Sequence, residues 1–485
     1  MVKSIKRNYI FSLINTISGI LFPLITFPYA SRIMEADGIG KVAFFTSIIS
    51  YISLFTSLGI PIYAVREIAK FRDNAIQMNK TAVEILLLHT FLTIIGYIAV
   101  AIMCVTVYKV SIDVPLFLIL SLSIFFTAIG CEWFYQGVED FQYIAIRGLI
   151  VRIIYLILLF SLVRSKSDIL LYAGLTVMGT VGNNVFNFLR LRKYVTLPFR
   201  ALRPLQIKRH VKPTLKIFAL NLVISLYVNL DTVLLGFLKN DYAVGYYAGA
   251  SKIARLIISL IQSLQTIMIP RFSFLAQNGD MKSFYELSQK VVDYVVTISI
   301  PMSLGLLVMA PSLIHMFCGV TYEPAILTLE IISPIVVIIS LSGIAGLQIL
   351  YPLGHETLVI WATATGAVLN LIVCFLLIPS MAENGAAIAV LLGETGVTVS
   401  MFIYGRQYIK LNKYSTHYSN CVVGGLIMGG VLFYIRGLGL VDWQNMLVMP
   451  LVGIMSYGLY LYLRKDSFFQ YIVEIINRKW VNKYV

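Results

Sequence analysis

Apolar runs long enough to cross a bilayer recur along almost the whole chain, separated by short polar breaks. About fourteen can be drawn, each near the ~20 residues that span ~30 Å of hydrocarbon at 1.5 Å per residue. No stretch is left over for a separate soluble domain. The expected fold is therefore an all-α polytopic membrane protein that acts within the bilayer.

Composition agrees: 59% of residues are hydrophobic, 13% are charged, and mean hydropathy is +0.85. Such a chain lacks the polar surface of a soluble globule. The formal charge of +15 would point to nucleic acid if it were clustered on a soluble face. With a cytoplasmic N-terminus, about 27 basic residues fall in cytoplasmic segments and about 7 in external ones, the bias that orients membrane proteins. The excess charge thus reads as topology and contact with anionic lipid, and no nucleic-acid partner is expected. Both termini are expected in the cytoplasm, as is the basic connector at 190–214.

Cys104, Cys131, Cys318, Cys374 and Cys421 are scattered, with no CxxC or Cys/His spacing. Neither a disulfide framework nor a metal site is implied. The N-terminal apolar run continues without a cleavage site and reads as a retained first span. No GxxxxGK[ST] sequence is present, so direct ATP use is not expected.

A weak internal repeat divides the chain. A displacement of 216 positions lays YQGVED (135–140) over YPLGHE (351–356) and pairs Asp168 with Asn384 and Arg190 with Arg406. Six spans per half would give two lobes of the same orientation, with a substrate path between them. The expected divisions are an N-lobe at 1–203, a C-lobe at 204–412, and two further helices with a tail at 413–485. Pro23, Pro28 and Pro301 predict broken spans, as hinges or as ordinary packing kinks.

Intramembrane charge carries the chemistry. Lys252 and Arg255 are three apart and share a helical face. Counted from Ala243, they lie roughly 13 and 18 Å deep, and Arg152 reaches a similar depth from the other side. Each buried charge costs ~2.5–3.5 kcal/mol even on the lenient insertion scale. Two readings stand: an anion site facing a watery cavity, or ion pairs with Asp231 or Glu394. Those two acids are also the candidates for binding a coupling cation or proton. Arg147 lies close enough to the interface to snorkel. Glu84, His89 and Glu132 lie near span ends, where interfacial water is within reach.

Three segments carry a resemblance: PLITFPYASRIMEADGIGKVAFF (23–45), SLGIPIYAVREIAK (57–70) and DTVLLGFLKNDYAVGYYAGASKIAR (231–255). Together they resemble bacterial polysaccharide-unit flippases of the multidrug/oligosaccharidyl-lipid/polysaccharide exporter superfamily. The resemblance covers the first twelve spans. It implies two six-helix lobes around a cavity, two extra C-terminal helices and alternating access. It also implies transport, not enzymatic turnover, of an undecaprenyl-diphosphate-linked oligosaccharide across the cytoplasmic (inner) membrane. No cofactor is implied beyond H+ or Na+ as coupling ion, and other polysaccharide-assembly proteins are implied partners. Arg32, Arg66 and Arg255 match motif positions, with Lys252 beside them. Arg147 and Arg152 do not, and the repeat sets Thr363 and Val368 opposite them, but all six, Arg255, Lys252, Arg152, Arg32, Arg66 and Arg147, are candidate cavity cations for the substrate headgroup.

Three other readings compete. A cation-coupled multidrug exporter of the same fold should line its cavity with carboxylates. A polysaccharide polymerase or ligase should carry a large external loop, and the external loops here are short. A non-transporting scaffold would share the hydropathy.

Overall fold

The computed structural model describes residues 5–196, 204–410, 416–470 and 474. The middle of the basic connector, the expected boundaries at 203 and 413, and nearly all of the C-terminal tail lie outside the described residues. Within them the chain is α-helical, with no strand. It forms two compact units, Met1–Gly245 and Tyr246–Val485.

The first unit contains α1 (Ile5–Ser57), α2 (Ile60–Phe71), α3 (Ala75–Thr106), α4 (Tyr108–Ile112) and α5 (Val114–Ile129). It continues with α6 (Glu132–Gly137), α7 (Phe141–Leu162), α8 (Ile169–Val181), α9 (Asn183–Leu191) and α10 (Lys208–Leu238). Helix α11 (Asp241–Gln277) begins in it and runs on into the second unit. There follow α12 (Met281–Val308), α13 (Ala310–Phe317), α14 (Ala325–Ile332), α15 (Ile335–Gly343), a π-helical turn at Ile344–Leu350, α16 (Glu356–Tyr404), α17 (Thr416–Gly437) and α18 (Asp442–Leu463).

Ten helical stretches among the described residues are long and apolar enough to cross a membrane. An eleventh is the pair Lys166–Val181 and Asn183–Leu191, bent by 47°. Two of these stretches are too long to be single spans. Helix α1 has 53 residues, which would reach ~80 Å if straight, against ~30 Å of hydrocarbon. Its backbone breaks at Glu35 (φ 53°) and that of the 49-residue α16 breaks at Ala382 (φ 47°). A positive φ is costly for a residue with a Cβ, so such a residue marks a real change of direction. Lys166 holds the Glu35 carboxylate at 2.5 Å and Asp37 at 3.3 Å.

The prolines behave differently from expectation. Helices α1 and α12 run through Pro23, Pro28 and Pro301 without a break. A proline in a membrane helix removes one hydrogen bond, which neighbouring groups can absorb, whereas reversing direction needs the positive-φ residue. Each repeat segment carries one positive-φ residue, at positions one apart in the alignment. Glu139 (φ 57°) precedes α7, and Gly354 (φ 78°) precedes α16.

Close backbone packing explains the glycines of the two longest motif segments. A Cβ on Gly40 would lie 1.8 Å from the Asp241 carbonyl oxygen, and one on Gly245 would lie 1.8 Å from that of Ala36. The start of α11 therefore docks backbone-to-backbone on α1, which only glycine at both positions permits. At the connector end of the same unit, Ile60, Tyr63, Ala64 and Ile68 of α2 pack with Ile85 and Leu88 of α3 and with Trp133, Phe134 and Tyr135.

Candidate functional site

Most buried charge in the first unit is neutralised by a neighbour. Glu84 of α3, expected to meet interfacial water, is fully buried. Its Oε1 accepts the Gln206 N–H at 2.6 Å, and its Oε2 lies 2.7 Å from Arg209 Nη2 and 2.9 Å from His210 Nε2. The Tyr63 hydroxyl lies 2.8 Å from His210 Nδ1. With Nε2–H donated to the carboxylate, Nδ1 is left to accept from tyrosine. The described end of the connector is thus tied to α2 and α3 by one carboxylate. Sequence distance hid this: nothing around Glu84 signals a partner 125 residues away.

Arg147 is 5% exposed, with Nη2 2.9 Å from Glu132. Arg190 meets the buried Asp140 at 2.9 Å. Arg152 is half-buried and reaches α1, where its Nη1 donates to the Asn15 carbonyl at 3.1 Å, to Asn15 Oδ1 at 3.2 Å, and to Ser18 Oγ. Arg32 is exposed and donates to the Pro28 carbonyl at 3.1 Å. Arg66, on α2, is exposed. Asp231 is buried near Tyr51.

The second unit handles its deep charge differently. Lys252 is half-buried on α11, and among the described residues it carries no hydrogen bond and no ion pair within 4 Å. Its charged neighbour is Arg255, one helical turn further along and exposed. Two like charges on one face repel, and burial adds to the cost. Glu394 is half-buried on α16. The acids that are paired in this unit lie elsewhere. Asp466 is bonded to His417 at 2.8 Å, to Asn420 at 3.0 Å and to the Phe469 N–H at 3.1 Å. Glu330 lies 3.3 Å from Arg436.

An apolar cavity of about 1140 Å³ opens between α12, α17 and α18. Its wall includes Pro301, Met302, Met428, Met449, Pro450 and Tyr457. Methionine gives such a wall adaptable packing. No group of three or more His, Cys, Asp or Glu side chains suited to a metal ion occurs among the described residues.

An all-helical, multi-pass architecture in two units, with cations buried in the helices, defines a membrane-transporter class of fold. Residues 5–276 match the family model described as polysaccharide biosynthesis protein, and the chain belongs to that family. It is 26% identical over 414 residues to an Escherichia coli (strain K12) protein named for O-antigen transport, covering 83% of this chain and 97% of that one. Among solved structures it is similar to the lipid II flippase MurJ in an inward closed conformation. The TM-score is 0.69 at 15% identity, with 95% of this chain and 99% of that one covered. It is also similar to an inward-facing multidrug-resistance MATE transporter, with TM-score 0.64 at 14% identity and coverage of 82% and 97%. At those identities the structural likeness shows the fold alone.

Proposed function

We propose that this protein flips a polyprenyl-diphosphate-linked oligosaccharide from the inner to the outer leaflet of the cytoplasmic membrane, for surface-polysaccharide assembly. The observation that carries this reading is the α11 pair: Lys252, half-buried without a hydrogen bond or ion pair among the described residues, beside the like charge of Arg255. A half-buried ammonium without a bonded partner is costly, and a passing diphosphate would offset that cost. The family membership and the relative named for O-antigen transport support the same substrate class.

In this mechanism the diphosphate, the part hydrocarbon tolerates least, is drawn to Lys252 and Arg255, with Arg152 assisting. The polyprenyl tail remains in lipid or in the methionine-rich apolar cavity. Alternating access exchanges the exposed side, driven by an H+ or Na+ gradient through Asp231 or Glu394. Both termini and the connector face the cytoplasm. A multidrug exporter would share the fold but carry organic cations, which the α11 pair would repel.

The test uses the full chain in vesicles with a labelled lipid-diphosphate oligosaccharide. Wild type should move the label between leaflets, Arg255→Ala should abolish movement, and Arg255→Lys should retain part, because a charge remains while the bidentate fork is lost. Transport of organic cations without movement of the lipid would overturn the reading. So would rescue of Arg255→Ala by a second replacement at Asp231 or Glu394, which would make Arg255 an ion-pair partner.

A further inference from the structure

A second cationic feature lies away from α11. A cavity of about 430 Å³ sits between α7 and the end of α9, wholly within the first unit. Its polar wall is Arg147, Arg190, Lys193 and Tyr143. Arg147 is 5% exposed, and its Nε and Nη1 have no hydrogen-bond partner among the described residues. Its one bonded nitrogen, Nη2, is held by Glu132. Arg190 is anchored by Asp140 and lies 3.8 Å from the Tyr143 ring centre, so its orientation is fixed. Lys193 is exposed at the rim.

The remaining wall is apolar and outward-facing. Ile146, Ile150, Phe186 and Leu189 are between 42% and 53% exposed. On α7 this surface continues through Ile153, Ile154 and Ile157, also exposed. Such an unbroken isoleucine stripe at helical spacing is suited to hydrocarbon and unsuited to a watery path. The cavity therefore has cations at its polar end and an acyl-compatible surface leading away from them.

We infer that this cavity is a binding site for an anionic phospholipid of the surrounding bilayer. The headgroup phosphate sits against Lys193 and Arg190, beside the buried guanidinium of Arg147, and the chains lie along the Ile146–Ile150 face. Glu132 and Asp140 fix the two guanidiniums and leave Lys193 as the uncompensated positive charge, which selects anionic over zwitterionic headgroups. Two buried guanidinium nitrogens without acceptors are the sign of an absent partner. The site does not depend on what the protein transports.

The test is lipid retention by the purified full-length protein, measured by native mass spectrometry from mixed phosphatidylglycerol and phosphatidylcholine. Wild type should keep phosphatidylglycerol selectively. Lys193→Gln, at an exposed position that folding does not need, should weaken this selectivity about fivefold, the equivalent of ~1 kcal/mol for one headgroup-level cation. Ile150→Trp, which fills the cavity from its lipid side, should lower retention of both lipids. Equal retention of the two lipids by wild type, or an unchanged ratio in Lys193→Gln, would overturn the inference. Displacement of phosphatidylglycerol by undecaprenyl diphosphate at equal concentration would also overturn it, by making the site one for the transported lipid.

Discussion

The two units differ in how they hold the cations of their long helices. In Met1–Gly245, Glu84, Asp140 and Glu132 each hold an arginine, and Arg152 is fastened to α1 by Asn15 and Ser18. In Tyr246–Val485 the ion pairs of Asp466 and Glu330 involve α17 and the ends of spans, while Lys252 on α11 is left with a like charge beside it. Paired charges fix helices relative to one another. An unpaired one is a cost the fold carries, and selection retains such costs where function needs them. The difference teaches where to look for structure and where to look for transport.

Replacing Glu84 should have the largest effect on stability. Glu84→Ala leaves Arg209, His210 and the Gln206 N–H without their shared acceptor, and about 3–5 kcal/mol should be lost, as when one side of a buried pair is removed. Thermal unfolding in detergent would measure it. An unchanged melting temperature would mean that the first unit does not rely on its pairs.

Lys252→Met should do the reverse: stability unchanged or raised by about 1–3 kcal/mol, since an unpaired buried cation is removed, with transport of labelled lipid lost. A strongly destabilised Lys252→Met would erase the contrast between the units.

Packing supplies a smaller, geometric test. Gly245→Ala should cost about 1–3 kcal/mol through overpacking against the Ala36 carbonyl, whereas Gly430→Ala, where an added Cβ meets nothing within 4 Å, should be neutral or stabilising. The two melting temperatures, compared directly, decide it.

The pH dependence of Asp466 should be the mildest effect. Burial raises its carboxyl, but the Asn420 amide, the Phe469 N–H and His417 outweigh that and hold it below the usual carboxylate range. Its contribution to stability is therefore complete above about pH 4, the unfolded value, and is lost as pH falls further through the lowered one. Melting curves of wild type and Asp466→Asn should converge below pH 4 and separate above it. Separation that persists at the lowest pH would show that the Asp466 contacts do not depend on its charge.

Much of this was legible from residue order. The helical class follows from apolar segment length, and the turns before α7 and α16 fall where the repeat aligns 135–140 with 351–356. Lys252 and Arg255 stand out because three-residue spacing on a helix is local geometry. The break in α1 lies at Glu35, in the polar stretch between the first two apolar runs, whereas none falls at Pro23 or Pro28. The part played by Glu84 was missed because its partner lies 125 residues away in the chain.

What the sequence by itself determined is what hydrophobicity and helical period impose: many spans, and cations set within apolar segments. These depend on neighbours within a few turns and on the solvent, so no tertiary contact is needed to read them. Only the tertiary structure decided which cations are neutralised. Arg147, Arg152 and Lys252 are all charges in apolar helices, yet Glu132 neutralises the first, the uncharged Asn15 only hydrogen-bonds the second, and no bonded partner reaches the third among the described residues. The cost of a buried charge is set within a few ångströms, and which groups come that close is fixed by packing between segments far apart in the chain.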